Sequence, residues 1–211
     1  MQPIITYLIM GITCVVSYLA FNDGSLRAKM IFVPAAVKER GETYRFITHG
    51  FIHRDFMHLL FNMWALYIFG PYAEQGFLIM FGQMLGGAAY LLFYIAAIAA
   101  ASYVSYTRYA DNYAYRALGA SGAVAAVMWP FIFFQPWAWF IFPPLPAILL
   151  GPAYIIYSHY QDLRGADNVG HNAHLWGAIF GLIVFLVLAA FLEPYILRNF
   201  VDQLMQPSAP F

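Results

Sequence analysis

Apolar residues in this chain fall in long blocks separated by polar or proline-bearing breaks, with no sustained strand-like alternation. Six blocks can be counted. The first is Ile4–Phe21, stopped by Asn22-Asp23-Gly24, and the second is Asp55–Phe69, ended by Gly70-Pro71. The third is Phe77–Tyr103, after which the polar stretch Ser105–Arg116 leads to the fourth, Leu118–Phe134. The fifth runs from Pro143 to Tyr160, with Pro144, Pro146 and Pro152 predicting a kinked or late start. The sixth is His171–Leu192, and a proline-bearing tail after Glu193 reads as peripheral. A bilayer-spanning helix needs about 20 apolar residues, so this pattern predicts an all-α membrane protein, a six-transmembrane-helix bundle in one domain over residues 1–211. The first transmembrane helix is 4–21 and the short C-terminal tail 193–211.

The long connection from Asn22 to Gly50 breaks the rhythm. It carries Arg27, Lys29, Lys38, Glu39, Arg40, Glu42 and Arg45, but also the apolar run Met30-Ile31-Phe32-Val33. A connection of that length with apolar content predicts an ordered element at the membrane interface.

Composition agrees with the blocks. The chain is 63% hydrophobic and 9% charged, against about 25% charged in an ordinary soluble domain. Ten basic residues balance ten acidic ones, so no net charge points to nucleic acid. The one cysteine, Cys14, cannot form an intrachain disulfide. Met1-Gln2-Pro3 lacks a basic leader and no small-residue cleavage site follows, so the first block is expected to be a retained helix. No heptads, repeats or low-complexity tract are present.

Six spans impose a parity that bears on chemistry. Blocks two, four and six run in the same direction, so their N-terminal ends share one membrane face. Those ends hold His58 and Asn62, Ser121, and His174. Ser121 stands between two glycines in Leu118-Gly119-Ala120-Ser121-Gly122-Ala123, ahead of an apolar run too short to span comfortably. Alone, that motif reads as close helix packing. In block six, however, His174, Gly177 and Gly181 share one helix face, and block four offers a thin face at Gly122, Ala125 and Ala126. If the two faces meet, His174 reaches Ser121, supplying the adjacent base that a serine nucleophile needs. His58 and Asn62, four residues apart on one face, can donate hydrogen bonds to an oxyanion. Their alternative is an interhelical polar clamp. Asp55 is the only acid at the head of these blocks, with Asp167 and Asn168 in the loop before block six, so a Ser-His dyad is the economical reading. His49, His53 and His58 cluster and His171-x-x-His174 has ligand-like spacing, but no cysteine or HExxH accompanies them. No metal or other cofactor is predicted, and His49 and His53 are expected to brace the loop against block two.

These stretches together resemble the rhomboid intramembrane serine proteases. The resemblance is carried by Tyr44-Arg45-Phe46-Ile47-Thr48-His49 leading into His53, by His58-Leu59-Leu60-Phe61-Asn62, by Gly119-Ala120-Ser121-Gly122, and by Ala173-His174 through Gly177 to Gly181. It implies a rhomboid-like bundle, with its core over about 40–192 and a long, partly embedded first loop held by Arg45. It implies Ser121 as nucleophile and His174 as general base and then acid. His58, Asn62 and the Ser121 backbone N–H would form the oxyanion hole, with Gly119, Gly122, Gly177 and Gly181 as structural support. Substrates would be transmembrane helices of other proteins, entering laterally from the lipid bilayer, and no obligate partner is implied. Three positions depart from the family pattern. Tyr44 replaces a tryptophan, Trp176 replaces a small residue, and Ala125 stands where some members carry an aromatic that stacks on the histidine. The alternatives are a catalytically weak or inactive scaffold or chaperone that binds transmembrane helices, and a transporter or metal-binding protein, for which no inverted repeat is evident. Of the 10 Lys and Arg residues, all but Arg198 fall on the active-site face. The positive-inside rule would turn that face to the cytoplasm, whereas the family usually opens it outward. The resemblance implies a bacterial-type cytoplasmic membrane with the active site on the outer side.

Overall fold

In a computed structural model, residues 2–141, 143–164 and 170–207 are described. Among them the regular structure is helical, apart from two isolated β-bridges. Helix α1 (Ile4–Asn22) turns a narrow stripe of Thr6, Ile9, Thr13, Ser17 and Ala20 inward and leaves Ile4, Leu8, Ile12, Val15 and Leu19 exposed. Apolar side chains outside and hydroxyls inside suit a lipid-facing helix. Its first turn is held by the buried Glu74 carboxylate, which accepts from the Ile5 amide at 3.0 Å, the Thr6 amide at 2.8 Å and the Thr6 hydroxyl at 2.8 Å. Amides at a helix start have no partner within the helix, and inside a membrane no water replaces one.

The connection after α1 folds into α2 (Gly24–Met30), α3 (Pro34–Arg40), α4 (Arg45–Thr48) and a 3₁₀ turn (His49–Phe51). It is an ordered unit that buries Phe32, Ala35, Ala36 and Val37. Arg45 is buried within it and donates to the carbonyls of Ala28 at 2.9 Å and Ile31 at 2.6 Å and to Glu42 at 2.5 Å.

Helix α5 (Phe56–Tyr109) is 54 residues long, about 80 Å at 1.5 Å per residue, and makes two crossings. Gly70-Pro71 does not end the second block, contrary to the pattern reading. The chain stays helical through Pro71 and reverses at Gly82, whose φ of 73° and ψ of 172° break the helix. The third block therefore starts at 83, not at Phe77. Gly70 serves packing: a Cβ there would lie 2.5 Å from Thr6 Cγ2 on α1.

Helix α6 (Ser121–Phe134) begins three residues later than its block and buries every residue from Gly122 to Phe133. A helix apolar on all sides belongs in the centre of a bundle, and α5 and α8 pack around it. Helix α7 (Ala147–Arg164) starts late, as its prolines require, and α8 spans His171–Leu192. The two halves of α5 with α1, α6, α7 and α8 make the six-helix bundle. The C-terminal segment is not a loose tail. Residues Tyr195–Leu204 form α9, which buries Ile196 and packs Phe200 against Phe133 with ring centres 4.5 Å apart. Trp137 Nε1 also donates to the Gln203 carbonyl at 2.8 Å.

Candidate active site

The crossing of α6 and α8 is built from absent side chains. A Cβ on Gly177 would lie 2.2 Å from the Gly122 carbonyl oxygen, and one on Gly181 would lie 2.4 Å from the Ala126 Cα. A Cβ on Gly122 would lie 2.4 Å from Ala101 Cβ on α5. Three helices therefore meet at backbone distance just below Ser121. The thin face of α6 comprises Gly122 and Ala126; Ala125, expected on it, lines the cavity instead.

That contact brings Ser121, the first residue of α6, to His174 in the first turn of α8. Ser121 Oγ lies 2.7 Å from His174 Nε2, the separation of a hydroxyl donating to an imidazole nitrogen. Both line a cavity of about 1060 Å³ together with His58, Asn62, Gly119, Ala125 and Tyr154. The structure thus gathers Ser121, His174, His58 and Asn62 around one space. The Ser121 amide, at the start of α6, donates to no carbonyl among the described residues.

The segment before Ser121 is fastened from the first loop. Gly119 N–H donates to the His49 carbonyl at 2.9 Å, and Phe32 and Ala117 exchange backbone bonds at 2.9 and 3.1 Å. Ala120 N–H donates to His53 Nε2 at 3.3 Å. An accepting Nε2 puts the proton on Nδ1, which then donates to Ser17 Oγ at 2.8 Å, and the Ser17 hydroxyl donates to the Phe51 carbonyl at 3.0 Å. His53 therefore ties the pre-serine backbone to α1, and it also meets the His58 ring of the second block edge-on at 5.0 Å, the bracing contact expected of it. Burial pushes its pKa down to about 3, and that of His49 to about 4, so both rings are neutral.

Gly119 has a φ of 118°, and a Cβ there would sit 2.7 Å from His58 Cε1. The loop thus passes under the His58 imidazole only as glycine. His58 is held from its other side by helix capping. Asp55 caps α5 by accepting from the His58 amide at 2.8 Å, and it also accepts from Arg54 at 2.8 Å. Those bonds hold the Asp55 carboxyl below the usual range and occupy the acid as a cap. The Asn62 side-chain amide donates to the His58 carbonyl at 2.8 Å. Asp167 and Asn168 lie outside the described residues.

Two groups missed by the sequence reading lie here. Asp162 on α7 accepts from Arg108 at 2.7 Å and from Asn172 at 3.3 Å, while Asn172 accepts from Ser105 at 3.0 Å. This network joins the ends of α5, α7 and α8 above the cavity. Tyr154, also on α7, stacks on His174 with ring centres 5.9 Å apart and planes 29° apart. Among 16 tyrosines, nothing in the local sequence distinguishes it.

The family model described as "Rhomboid domain" matches residues 40–191. The chain is 30% identical over 185 residues to Rhomboid protease GlpG of Haemophilus influenzae, covering 83% of this chain and 86% of that protein. It is 35% identical over 150 residues to RHOMBOID-like protein 12, mitochondrial, of Arabidopsis thaliana, covering 65% of this chain and 44% of that protein. It is also 32% identical over 93 residues to Putative rhomboid protease YdcA of Bacillus subtilis, covering 44% of this chain and 42% of that protein. The chain thus spans less than half of two of these relatives and most of the third.

Proposed function

The chain belongs to the rhomboid family, and on that premise we propose that this integral membrane protein is an intramembrane serine endopeptidase working through Ser121 and His174. The observation that carries the reading is the 2.7 Å approach of Ser121 Oγ to His174 Nε2. That approach lies within a cavity that also exposes His58 and Asn62.

The chemistry follows from the positions. His174 Nε2 takes the Ser121 proton as Oγ attacks the scissile carbonyl. The carbonyl oxygen becomes an anion, stabilised by the free Ser121 amide at the positive end of α6 and by donors on His58 and Asn62. One such donor is worth about 2.7–4 kcal/mol. His174 then returns the proton to the leaving amine, giving an acyl-Ser121 ester. Water, deprotonated by His174, hydrolyses the ester and regenerates the serine.

Substrates are transmembrane helices of other membrane proteins. A helical carbonyl is shielded by its own hydrogen bond, so cleavable helices carry helix-weakening residues and a small side chain at the cut. The chain works as one membrane domain, with its active site opening to the outer side of a bacterial-type cytoplasmic membrane. The test is cleavage of a reporter transmembrane helix, with fluorophosphonate labelling, by wild type, Ser121→Ala and His174→Ala. Cleavage and labelling are expected in the wild type and lost in both variants; unchanged cleavage in either variant would sink the assignment.

A further inference from the structure

The hydrogen bond to Ser121 fixes one atom of the His174 ring, and aromatic contacts act on the plane of that ring. Position 125, one turn after the serine, is alanine and supplies no aromatic cover. Rings from α7 and α8 border the imidazole. Tyr154 stacks on His174 at 5.9 Å and 29°, and His171 meets the same ring edge-on at 5.8 Å and 85°. Tyr157 in turn meets His171 at 5.8 Å and 83°. Tyr154 and Tyr157 lie three apart on α7, as do His171 and His174 on α8, so one face of each helix meets the other in register. The Tyr154 hydroxyl makes no hydrogen bond among the described residues, so its ring is the contacting part.

We propose that Tyr154 is a positioning residue for His174, holding the imidazole plane in line with Ser121 from α7. The proposal rests on the dyad reading above. Offset-stacked aromatic pairs at this spacing are favourable. The benefit grows when the imidazole becomes imidazolium during the reaction, because an aromatic face attracts a cation. An interaction that strengthens toward the transition state raises kcat more than it lowers KM. The arrangement also makes dyad geometry depend on the seat of α7. That helix packs chiefly on α8 and α6, and its C-terminal end is tied to the bundle through Asp162.

The experiment compares wild type, Tyr154→Phe, Tyr154→Leu, Tyr154→Ala and Ser121→Ala. It measures steady-state cleavage of a reporter transmembrane helix in detergent and the rate of fluorophosphonate labelling. Tyr154→Leu fills most of the space without a flat face and guards against collapse of the alanine variant. Both Leu and Ala are expected to lower kcat roughly 10- to 100-fold with KM within about twofold, as a misplaced catalytic group does, and to slow labelling in parallel. Tyr154→Phe is expected to stay within about threefold of wild type. Wild-type kcat in Tyr154→Leu, a loss confined to KM, or a Phe variant as slow as Leu would each overturn the proposal. Labelling that persists in Ser121→Ala would instead overturn the dyad reading, so the two failures are distinct.

Discussion

Gly119 and Gly41 both carry positive φ, 118° and 66°, but their surroundings differ. A Cβ on Gly41, the cap of α3, would meet nothing within 4 Å, whereas one on Gly119 would press on His58 Cε1 at 2.7 Å. Gly41→Ala is therefore a backbone change only, expected to cost about 1–2 kcal/mol of stability and to leave cleavage unchanged. Gly119→Ala adds displacement of His58 from the place where it would meet the oxyanion. A lost donor of that kind costs roughly 10²- to 10³-fold in kcat, and a partial displacement is expected to cost at least about tenfold. Thermal unfolding and cleavage rates on the two variants separate strain from chemistry; equal cleavage rates would remove His58 from the site. The spacing of Gly119, Ser121 and His174 was legible in the sequence because each local motif has a residue type that chemistry requires. Tyr154 was not, since its role comes from a contact between helices and its own helix marks it in no way. Ala125 was legible only as a gap.

At the scale of elements, the sequence predicted the block count and the ends of α8, and misjudged where α5 turns. Gly70-Pro71 looks like a stop because proline lacks an amide and clashes with the preceding turn. In a membrane bundle, neighbouring helices re-satisfy the freed groups, and Gly70 is spent on the approach to Thr6 of α1. The true reversal at Gly82 sits inside an apolar run in which Gln83 is the only polar break, so composition gives little contrast. The first loop gives a further prediction. His49 and His53 are buried in it with pKa values pushed down to about 4 and about 3, while in the unfolded chain both would titrate near the ordinary value of about 6.5. Below that value the unfolded state binds protons that the folded state refuses. Stability is therefore intact above about pH 6.5 and falls as pH drops toward the folded values. Between about pH 6.5 and 5 carboxylates of the unfolded chain are still ionised, and in the folded chain Glu42 and Asp55 are held lower than usual by their arginine partners, so this window reports chiefly on the histidines. Thermal unfolding in detergent at pH 7 and pH 5 should show a lower transition at pH 5, with the drop reduced in His53→Gln. A transition that does not move between the two would contradict neutral burial of these rings.

For the molecule as a whole, charge bears on which side of the membrane the cavity faces, and it pulls against the family's usual orientation. Of the 10 Lys and Arg residues, all but Arg198 lie on the face that holds the cavity, and the positive-inside rule would retain that face in the cytoplasm. The rule applies best to short, unstructured loops. Here most of these cations sit in the unit formed by α2, α3, α4 and the 3₁₀ turn, which buries Arg45 and pairs Arg40 and Arg45 with Glu42, and Arg54 just after it pairs with Asp55 at the cap of α5. Lys38 pairs with Asp111 and Arg108 with Asp162, joining the remaining loops on that face to one another. Charges committed to a folded cap hold the loops over the cavity, and their number then reflects structure as well as insertion. An outward-facing cavity predicts a definite labelling pattern in a bacterial host. With Cys14→Ser as background, Ala114→Cys marks the cavity face and Gln206→Cys the opposite face, both exposed positions. A membrane-impermeant maleimide added to intact spheroplasts should label the first and not the second, and permeabilisation should expose both. The reverse pattern would put the dyad on the cytoplasmic side and restrict its substrates to helices whose weakened segment lies near that surface.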